Sequence, residues 1–115
     1  MIVCRPKAAA IACAAALLAL AMQNAVAADA KAGRAKAQMC QACHGIDGMS
    51  KVPDAPNIAG QVEGYLVAQL QAFKSGLRQN EAMSVVAATL SESDIEALAA
   101  YYAAIEVRVG KIPGQ

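Results

Sequence analysis

The chain is poor in the bulky residues that usually fill a hydrophobic core. Among its 115 residues there are no tryptophans, one phenylalanine and three tyrosines. It has a single histidine, so two histidines of one chain cannot share a metal here. Ten basic residues against nine acidic ones leave no large charge excess, which argues against nucleic acid or an anionic membrane surface as a partner. A single domain of this size with so few aromatics often needs a cross-link or a cofactor for stability.

No apolar run in the sequence is long enough to span a bilayer as a helix. The longest covers residues 8–22, about 15 residues, whereas a span needs ~20. It follows a basic lead at residues 5–7 and precedes a small-x-small triplet that ends at Ala27. These are the three parts of a secretory signal peptide. We predict cleavage after Ala27 or one residue later, so that residues 1–27 are removed and residues 28–115 form one exported domain. A retained membrane anchor is the alternative.

Removal of this segment changes both the net charge and the cysteine count. Without Arg5 and Lys7 the domain has eight basic and nine acidic residues, a net charge of about −1. Two of the four cysteines, at positions 4 and 13, also lie in the segment. Cys13 could instead be a lipoprotein acylation site, although the residues before it fit that signal poorly. The domain keeps only Cys40 and Cys43, in an exported setting where a disulfide is the ordinary expectation.

The spacing of apolar residues predicts an all-α domain of four short helices and long loops, and no segment shows the alternation of a strand. The predicted helices run from Ala30 to about Met39 after an Asp29 cap, from Val62 to Ser75 with Gly76 as the stop, from Met83 to Ala88, and onward from a capping box at Ser91 and Asp94. The last helix carries an apolar stripe of Ile95, Leu98, Ala99, Tyr102 and Ile105. Glycines and prolines over residues 45–60 predict a long loop, and loops of this length in small domains are usually functional.

The strongest functional signal is the string Cys40-Gln41-Ala42-Cys43-His44, because Cys-x-x-Cys-His is the attachment motif of c-type haem. Two thiols three residues apart can add to the two vinyl groups at one edge of a porphyrin, and the adjacent imidazole then lies beneath the iron. We therefore predict one covalent haem c. Cys40 and Cys43 would form its thioether bonds, and His44 would be the proximal ligand of its iron.

Three other interpretations of the cysteine pair have less support. A thioredoxin-like redox pair needs a βαβ context, and no strand is predicted. A zinc site needs further ligands, and the predicted domain has no other cysteine or histidine. A structural disulfide would leave the histidine directly after the pair as a coincidence.

Methionine is the usual second ligand of a haem iron that has one histidine, and it raises the reduction potential. The methionines at positions 1 and 22 lie in the predicted signal peptide, and Met39 directly precedes the motif and cannot reach around the ring. Met49 is five residues from His44, a reach of at most ~17 Å. Met83 is 39 residues from His44, ample chain to cross to the opposite face of the haem. We predict Met83 as the second axial ligand, with Met49 as the alternative.

On these residues the sequence resembles the small bacterial class I cytochromes c, in particular single-haem members that match one half of the two-domain dihaem cytochromes. The matching strings are Cys-Gln-Ala-Cys-His-Gly at 40–45, Pro-Asn-Ile-Ala-Gly-Gln at 56–61, Phe-Lys-Ser-Gly-Leu-Arg at 73–78 and the block over 83–102. They cover essentially the whole predicted domain. Relatives often carry proline two residues after the axial methionine, where this chain has Val85, and a polar residue in place of Met49.

The resemblance implies a class I cytochrome c fold and a set of contacts around the haem. The Pro56 carbonyl would accept a hydrogen bond from the His44 ring, and Ile58 would pack on the haem. The candidate partners of the haem propionates are Arg78, Lys74 and Gln69, although a solvated helix face with a basic end is an equal alternative. The first and last helices would cross where Gly33 and Ala37 approach the Tyr101–Tyr102 region.

If protein atoms fill both axial positions of the iron, no site is open for a substrate. What remains is outer-sphere transfer of single electrons through the haem edge. We therefore expect a soluble periplasmic electron-transfer protein that is not an enzyme, has no stable membrane attachment and docks briefly with redox donors and acceptors. A fixed haem subunit of a multi-subunit oxidoreductase is one alternative. A haem-based sensor is another, should the bond to Met83 be labile.

Overall fold

The computed structural model describes residues 30–114, and within that range the protein is all-α. Helix α1 covers residues 30–36 and passes into a 3-10 turn at Ala37–Met39; α2 is Gln41–His44, α3 is Glu63–Ser75, α4 is Glu81–Ala88 and α5 is Glu92–Ala103. The described part contains no strand, which agrees with the predicted fold class. None of its helices is long and apolar enough to cross a membrane. The predicted signal peptide and the predicted cap at Asp29 lie outside the described residues.

Helix α5 carries much of the hydrophobic core, and its first turn forms as predicted. Ser91 Oγ accepts a hydrogen bond from the Asp94 N–H, and Asp94 Oδ2 accepts one from the Ser91 N–H, each at 3.1 Å. This capping box satisfies two backbone donors that a helix start leaves unpaired. The predicted stripe then faces the core, with Ile95, Leu98, Ala99 and Tyr102 buried. Ile105, its predicted last member, lies beyond the end of the helix and is partly buried.

Helix α3 packs against both α4 and α5. It buries Leu66 and Phe73 and ends at Gly76, where a φ of 79° requires the left-handed conformation that glycine adopts without a Cβ clash. This confirms the predicted stop. Val62, predicted as the first apolar residue of the helix, is instead its extended N-cap residue and is 69% exposed.

Two further predicted helix boundaries differ from the structure. Helix α4 begins at Glu81 rather than Met83, because the Asn80 side chain accepts hydrogen bonds from two backbone N–H groups of the first turn. The first predicted helix, drawn to Met39, is divided: it tightens into the 3-10 turn after residue 36, and α2 follows as a separate turn. Helix α2 ends at Gly45, whose φ is 74° and where a Cβ would lie 2.2 Å from a side-chain oxygen, so glycine is required.

Helix α1 crosses α5 at Gly33, as the resemblance implied. Gly33 and Ala37 are both buried. A Cβ on Gly33 would lie 1.9 Å from the Ala97 carbonyl oxygen and 2.7 Å from Tyr101 Cβ. The two backbones can therefore come this close only because position 33 has no side chain.

The predicted loop joins α2 to α3 and is tethered along its length. The N–H of Ile58 donates to the Gly48 carbonyl at 2.8 Å, which folds the loop back on itself. Near its far end the Gly60 N–H donates to the Tyr102 carbonyl at 2.9 Å, which attaches the loop to α5. The loop therefore has a defined path across the short helix α2.

Candidate haem-binding site

Helix α2 carries both cysteines and the histidine in one turn. Cys40 is its N-cap residue, and Cys43 and His44 are its last two residues. Residues three apart are neighbours on a helix surface, so the two thiols lie on the same side of the turn. Both thiols are free, Cys43 exposed and Cys40 partly buried. Burial raises the pKa of the Cys40 thiol.

The imidazole of His44 is 8% exposed and is held from the loop. Its Nδ1 lies 2.9 Å from the carbonyl oxygen of Pro56, twelve residues along the chain. A carbonyl can only accept, so Nδ1 carries the proton and donates it. The lone pair of Nε2 is then the one available to a metal, and the hydrogen bond at Nδ1 makes it more basic. Two residues after Pro56, Ile58 is partly buried and packs against the hydrophobic core.

The other interpretations of the cysteine pair find no support in the structure. A thioredoxin-like pair needs adjacent strands, and residues 30–114 contain none. Within the same range no three His, Cys, Asp or Glu side chains converge so that they could hold a metal ion, so zinc would lack ligands. The two thiols are not joined to each other. A free thiol pair beside an imidazole with an available Nε2 is the donor set that covalent haem attachment requires, so the residues fit this cofactor.

Met83 lies in the first turn of α4, and the cap of that helix sets its backbone position. Asn80 Oδ1 accepts hydrogen bonds from the N–H groups of Ala82 at 3.1 Å and Met83 at 2.9 Å. Met83 is partly buried, whereas Met39 and Met49 are 45% and 43% exposed. Of the three methionines in the described residues, Met83 is thus the best shielded from water.

The three candidate propionate partners belong to two separate groups of contacts. The guanidinium carbon of Arg78 lies 4.6 Å from the centroid of the Phe73 ring, and Arg78 donates a hydrogen bond to Gln69 Oε1. Lys74 is engaged elsewhere, because its ammonium nitrogen lies 2.8 Å from a carboxylate oxygen of Glu92 at the start of α5. Arg78 and Gln69 form one polar pair, and Lys74 belongs to an ion pair that links α3 to α5.

Two tyrosines of α5 contact the backbone directly after His44 and were not predicted as site residues. Tyr101 Oη donates to the Ile46 carbonyl at 2.7 Å, and Tyr102 Oη donates to the Gly45 carbonyl at 3.2 Å. Tyr102 is 3% exposed, and burial raises the pKa of its hydroxyl well above the ordinary value. A sequence signal exists for Tyr102, because a phenol on the apolar stripe of a helix needs a partner for its buried hydroxyl.

Residues 30–104 match the sequence model of the Cytochrome c family. The chain therefore belongs to the cytochrome c family, which confirms the class I fold that the resemblance implied. Its cofactor is haem c, with its iron, bound covalently. The Cys-x-x-Cys-His turn of α2 is the part of the chain that fits this attachment.

Three relatives show which members of the cytochrome c family this chain is similar to. The chain is 45% identical to cytochrome c4 of Pseudomonas aeruginosa over 82 residues, 71% of this chain and 41% of that protein. It is 43% identical to cytochrome c-554(548) of Halomonas halodenitrificans over 81 residues, 68% of this chain and 98% of that protein. It is 44% identical to the thiosulfate dehydrogenase electron acceptor of Thiomonas intermedia over 73 residues, 62% of this chain and 33% of that protein. The chain spans less than half the length of the cytochromes c4 that it matches, and the predicted resemblance to one domain of the dihaem cytochromes is confirmed.

Proposed function

We propose that this protein is an exported carrier of single electrons and not an enzyme. Cys40 and Cys43 would bind the porphyrin through thioether bonds, and His44 and Met83 would ligate its iron. The observation that carries the proposal is the α2 turn, which presents two thiols beside an imidazole whose Nδ1 is already held by the Pro56 carbonyl.

When bound, the haem supplies reversible one-electron chemistry at its iron. The residues of the chain would hold and tune that group. The Pro56 carbonyl holds the proton of the His44 ring on Nδ1 and would make Nε2 a stronger donor to the iron. Met83, as a thioether ligand, would raise the reduction potential. Arg78, held by Gln69 and the Phe73 ring, has further N–H groups to offer a propionate.

Export to the periplasm is part of the proposal. It is supported by the order of basic lead, apolar run and small-x-small triplet in residues 1–27. Mass spectrometry of the protein purified from the periplasm tests it, with an expected first residue of Ala28 or Asp29. A mature chain that still begins at Met1 would favour the membrane anchor instead.

A visible spectrum of the exported protein, taken before and after an acid–acetone wash, tests covalent attachment. We expect a red protein whose haem stays with the polypeptide. Cys40→Ser combined with Cys43→Ser should abolish the colour and leave the chain unfolded, because the cofactor completes a core with few large side chains. Gln41→Ala, an exposed residue of the same turn, is the matched control and should keep its haem. A colourless wild-type polypeptide with free or disulfide-bonded thiols would refute the proposal.

A role as electron acceptor of an oxidoreductase has one specific observation in its favour, the relative from Thiomonas intermedia that is named a thiosulfate dehydrogenase electron acceptor. The chain could serve such an enzyme as a transient partner or as a fixed haem subunit. Purification under gentle conditions separates the two. Co-elution with a large partner supports the fixed subunit, and elution alone with rapid reduction by an added dehydrogenase supports the carrier.

A further inference from the structure

We infer that Tyr101 and Tyr102 are positioning residues that hold the hydrogen bond between His44 and Pro56 in place, and that they thereby tune the reduction potential of the haem. This inference rests on the proposed function, because it takes His44 as a ligand of the iron.

The two phenols clamp the backbone that follows His44. Their hydroxyls donate to the carbonyls of Ile46 and Gly45, the next two residues of the chain, at 2.7 Å and 3.2 Å. The two rings support each other in an edge-to-face arrangement, with centroids 5.0 Å apart and planes at 64°. Tyr102 is 3% exposed, so its hydroxyl has no solvent partner to compete with the Gly45 carbonyl.

The same tyrosine also holds the loop that supplies the partner of His44. The carbonyl of Tyr102 accepts a hydrogen bond from the Gly60 N–H at 2.9 Å, four residues after Pro56. Inside the loop, the Gly48 carbonyl accepts from the N–H groups of residues 58 and 59 at 2.8 Å and 3.1 Å. The two ends of the loop are therefore attached to one dipeptide of α5, and the Pro56 carbonyl lies on the segment between those attachments.

The attachment matters because α2 cannot fix the imidazole by itself. It has four residues, and a helix that short is unstable without tertiary contacts. The strength of the hydrogen bond from Nδ1 to the Pro56 carbonyl depends on the separation of two segments that are twelve residues apart. That hydrogen bond sets how basic Nε2 is as a ligand. The hydroxyls of Tyr101 and Tyr102 therefore fix the distance between Nδ1 of His44 and the Pro56 carbonyl oxygen, which neither the loop nor α2 fixes alone.

Tyrosine-to-phenylalanine variants of the holoprotein test this inference, because they remove the hydroxyls and keep the rings. The exchange of the His44 Nδ1 proton with solvent, measured by NMR, should become about five-fold faster for each hydrogen bond lost. The reduction potential should shift upward, because a weaker hydrogen bond leaves Nε2 a poorer donor and destabilises the ferric iron. Tyr101→Phe and Tyr102→Phe should each show these effects, and the double variant should show the largest.

Tyr65→Phe is the matched control. Tyr65 is 48% exposed on α3, and its hydroxyl makes no hydrogen bond within residues 30–114, so neither the exchange rate nor the potential should change. If the double variant unfolds, the two single variants decide the question.

A purely structural role for the tyrosines would lower the unfolding midpoint of the variants while the potential and the exchange rate stay at the wild-type values, and that result overturns the inference. A wild-type protein without covalent haem would instead overturn the proposed function, which the visible spectrum shows before any variant is made.

Discussion

Single atoms decide the chemistry of this site. The proton of His44 is placed on Nδ1 by one main-chain oxygen, that of Pro56, so the ring has the tautomer that a ligand through Nε2 requires. The backbone of Met83 is positioned by a side chain instead, because its N–H donates a hydrogen bond to Asn80 Oδ1 at the start of α4. Val85, where relatives often carry proline, lies within that helix and leaves its hydrogen bonding intact.

At the residue scale, Met83→Ala should lower the reduction potential strongly and remove the weak red absorption band of a methionine–iron bond. The haem should stay attached, because the thioether bonds are independent of the axial ligand. The reduced variant should also bind carbon monoxide at neutral pH, whereas the wild-type protein should not. Met49→Ala is the control and should keep the band. If Met83→Ala keeps the band and Met49→Ala loses it, the axial ligand is Met49.

Gly33→Ala should destabilise the protein by about 2 kcal/mol or more, because the new methyl group would overlap the main chain of α5. Gly64→Ala provides the comparison: it lies in the first turn of α3 with no atom within 4 Å of its would-be Cβ. That substitution should stabilise the fold by about 0.5 kcal/mol. Denaturant unfolding of both holoproteins checks the pair, and equal midpoints would mean that the helices can separate at Gly33 without loss.

At the scale of the elements, ion pairs join the start of α5 to its neighbours. Lys36, the last residue of α1, lies 2.9 Å from Asp94, and Lys74 of α3 lies 2.8 Å from Glu92. Both carboxylates have a lowered pKa, chiefly through their hydrogen bonds with these lysines. Asp94 also completes the capping box of α5, so one side chain stabilises both the start of that helix and its contact with α1.

The Asp94 contacts should make stability fall in acid. Because the pKa of Asp94 is lowered from 3.8 in the folded protein, its contribution is present above pH 3.8 and is lost as the pH falls through the lower folded-state value. Asp94→Asn should therefore be less stable than wild type near pH 7 and lose less stability below about pH 3. Denaturant midpoints at both pH values measure this. Glu96→Gln is the control, because Glu96 is exposed and makes no ion pair in the described part of the chain. Its stability should fall in acid as much as that of the wild type. If Asp94→Asn also loses as much stability in acid as the wild type, the Asp94 contacts do not cause the acid sensitivity.

At the scale of the whole molecule, charges nearly cancel and several large apolar side chains are exposed. Val85, two residues after Met83, is 68% exposed, and Leu77, in the turn between α3 and α4, is 89% exposed. Without residues 1–27 the net charge is about −1. Such a surface favours brief encounters with a redox partner over strong electrostatic steering.

The rate of electron exchange with a redox partner should therefore depend only weakly on salt. Between low and physiological ionic strength we expect a change of no more than about three-fold. Stopped-flow reduction by a small protein donor over a series of salt concentrations measures it. A steep fall with added salt would show that a local charge cluster, and not the apolar surface, guides the encounter.

Much of the fold and part of the candidate site could be predicted from short stretches of sequence. The capping box of Ser91 and Asp94, the stop at Gly76 and the loop over residues 45–60 depend on residues close together in the chain. The Asn80 cap also depends on neighbouring residues, but it was not predicted from the sequence. The apolar pattern placed the start of α4 at Met83, two residues after its true start. The Cys-x-x-Cys-His turn was recognisable for the same reason, since all of its chemistry lies within five residues.

The sequence by itself determined the all-α fold class, the family and the haem-attachment motif, because these follow from residues that are close together in the chain. Only the tertiary structure decided which carbonyls the phenols of Tyr101 and Tyr102 bind, since those partners are 55 and 57 residues away. It also decided that Lys74 pairs with Glu92 while Arg78 stays with Gln69. Contacts of this kind depend on how the helices pack, and that packing is set by the sum of many weak apolar contacts that no single segment contains.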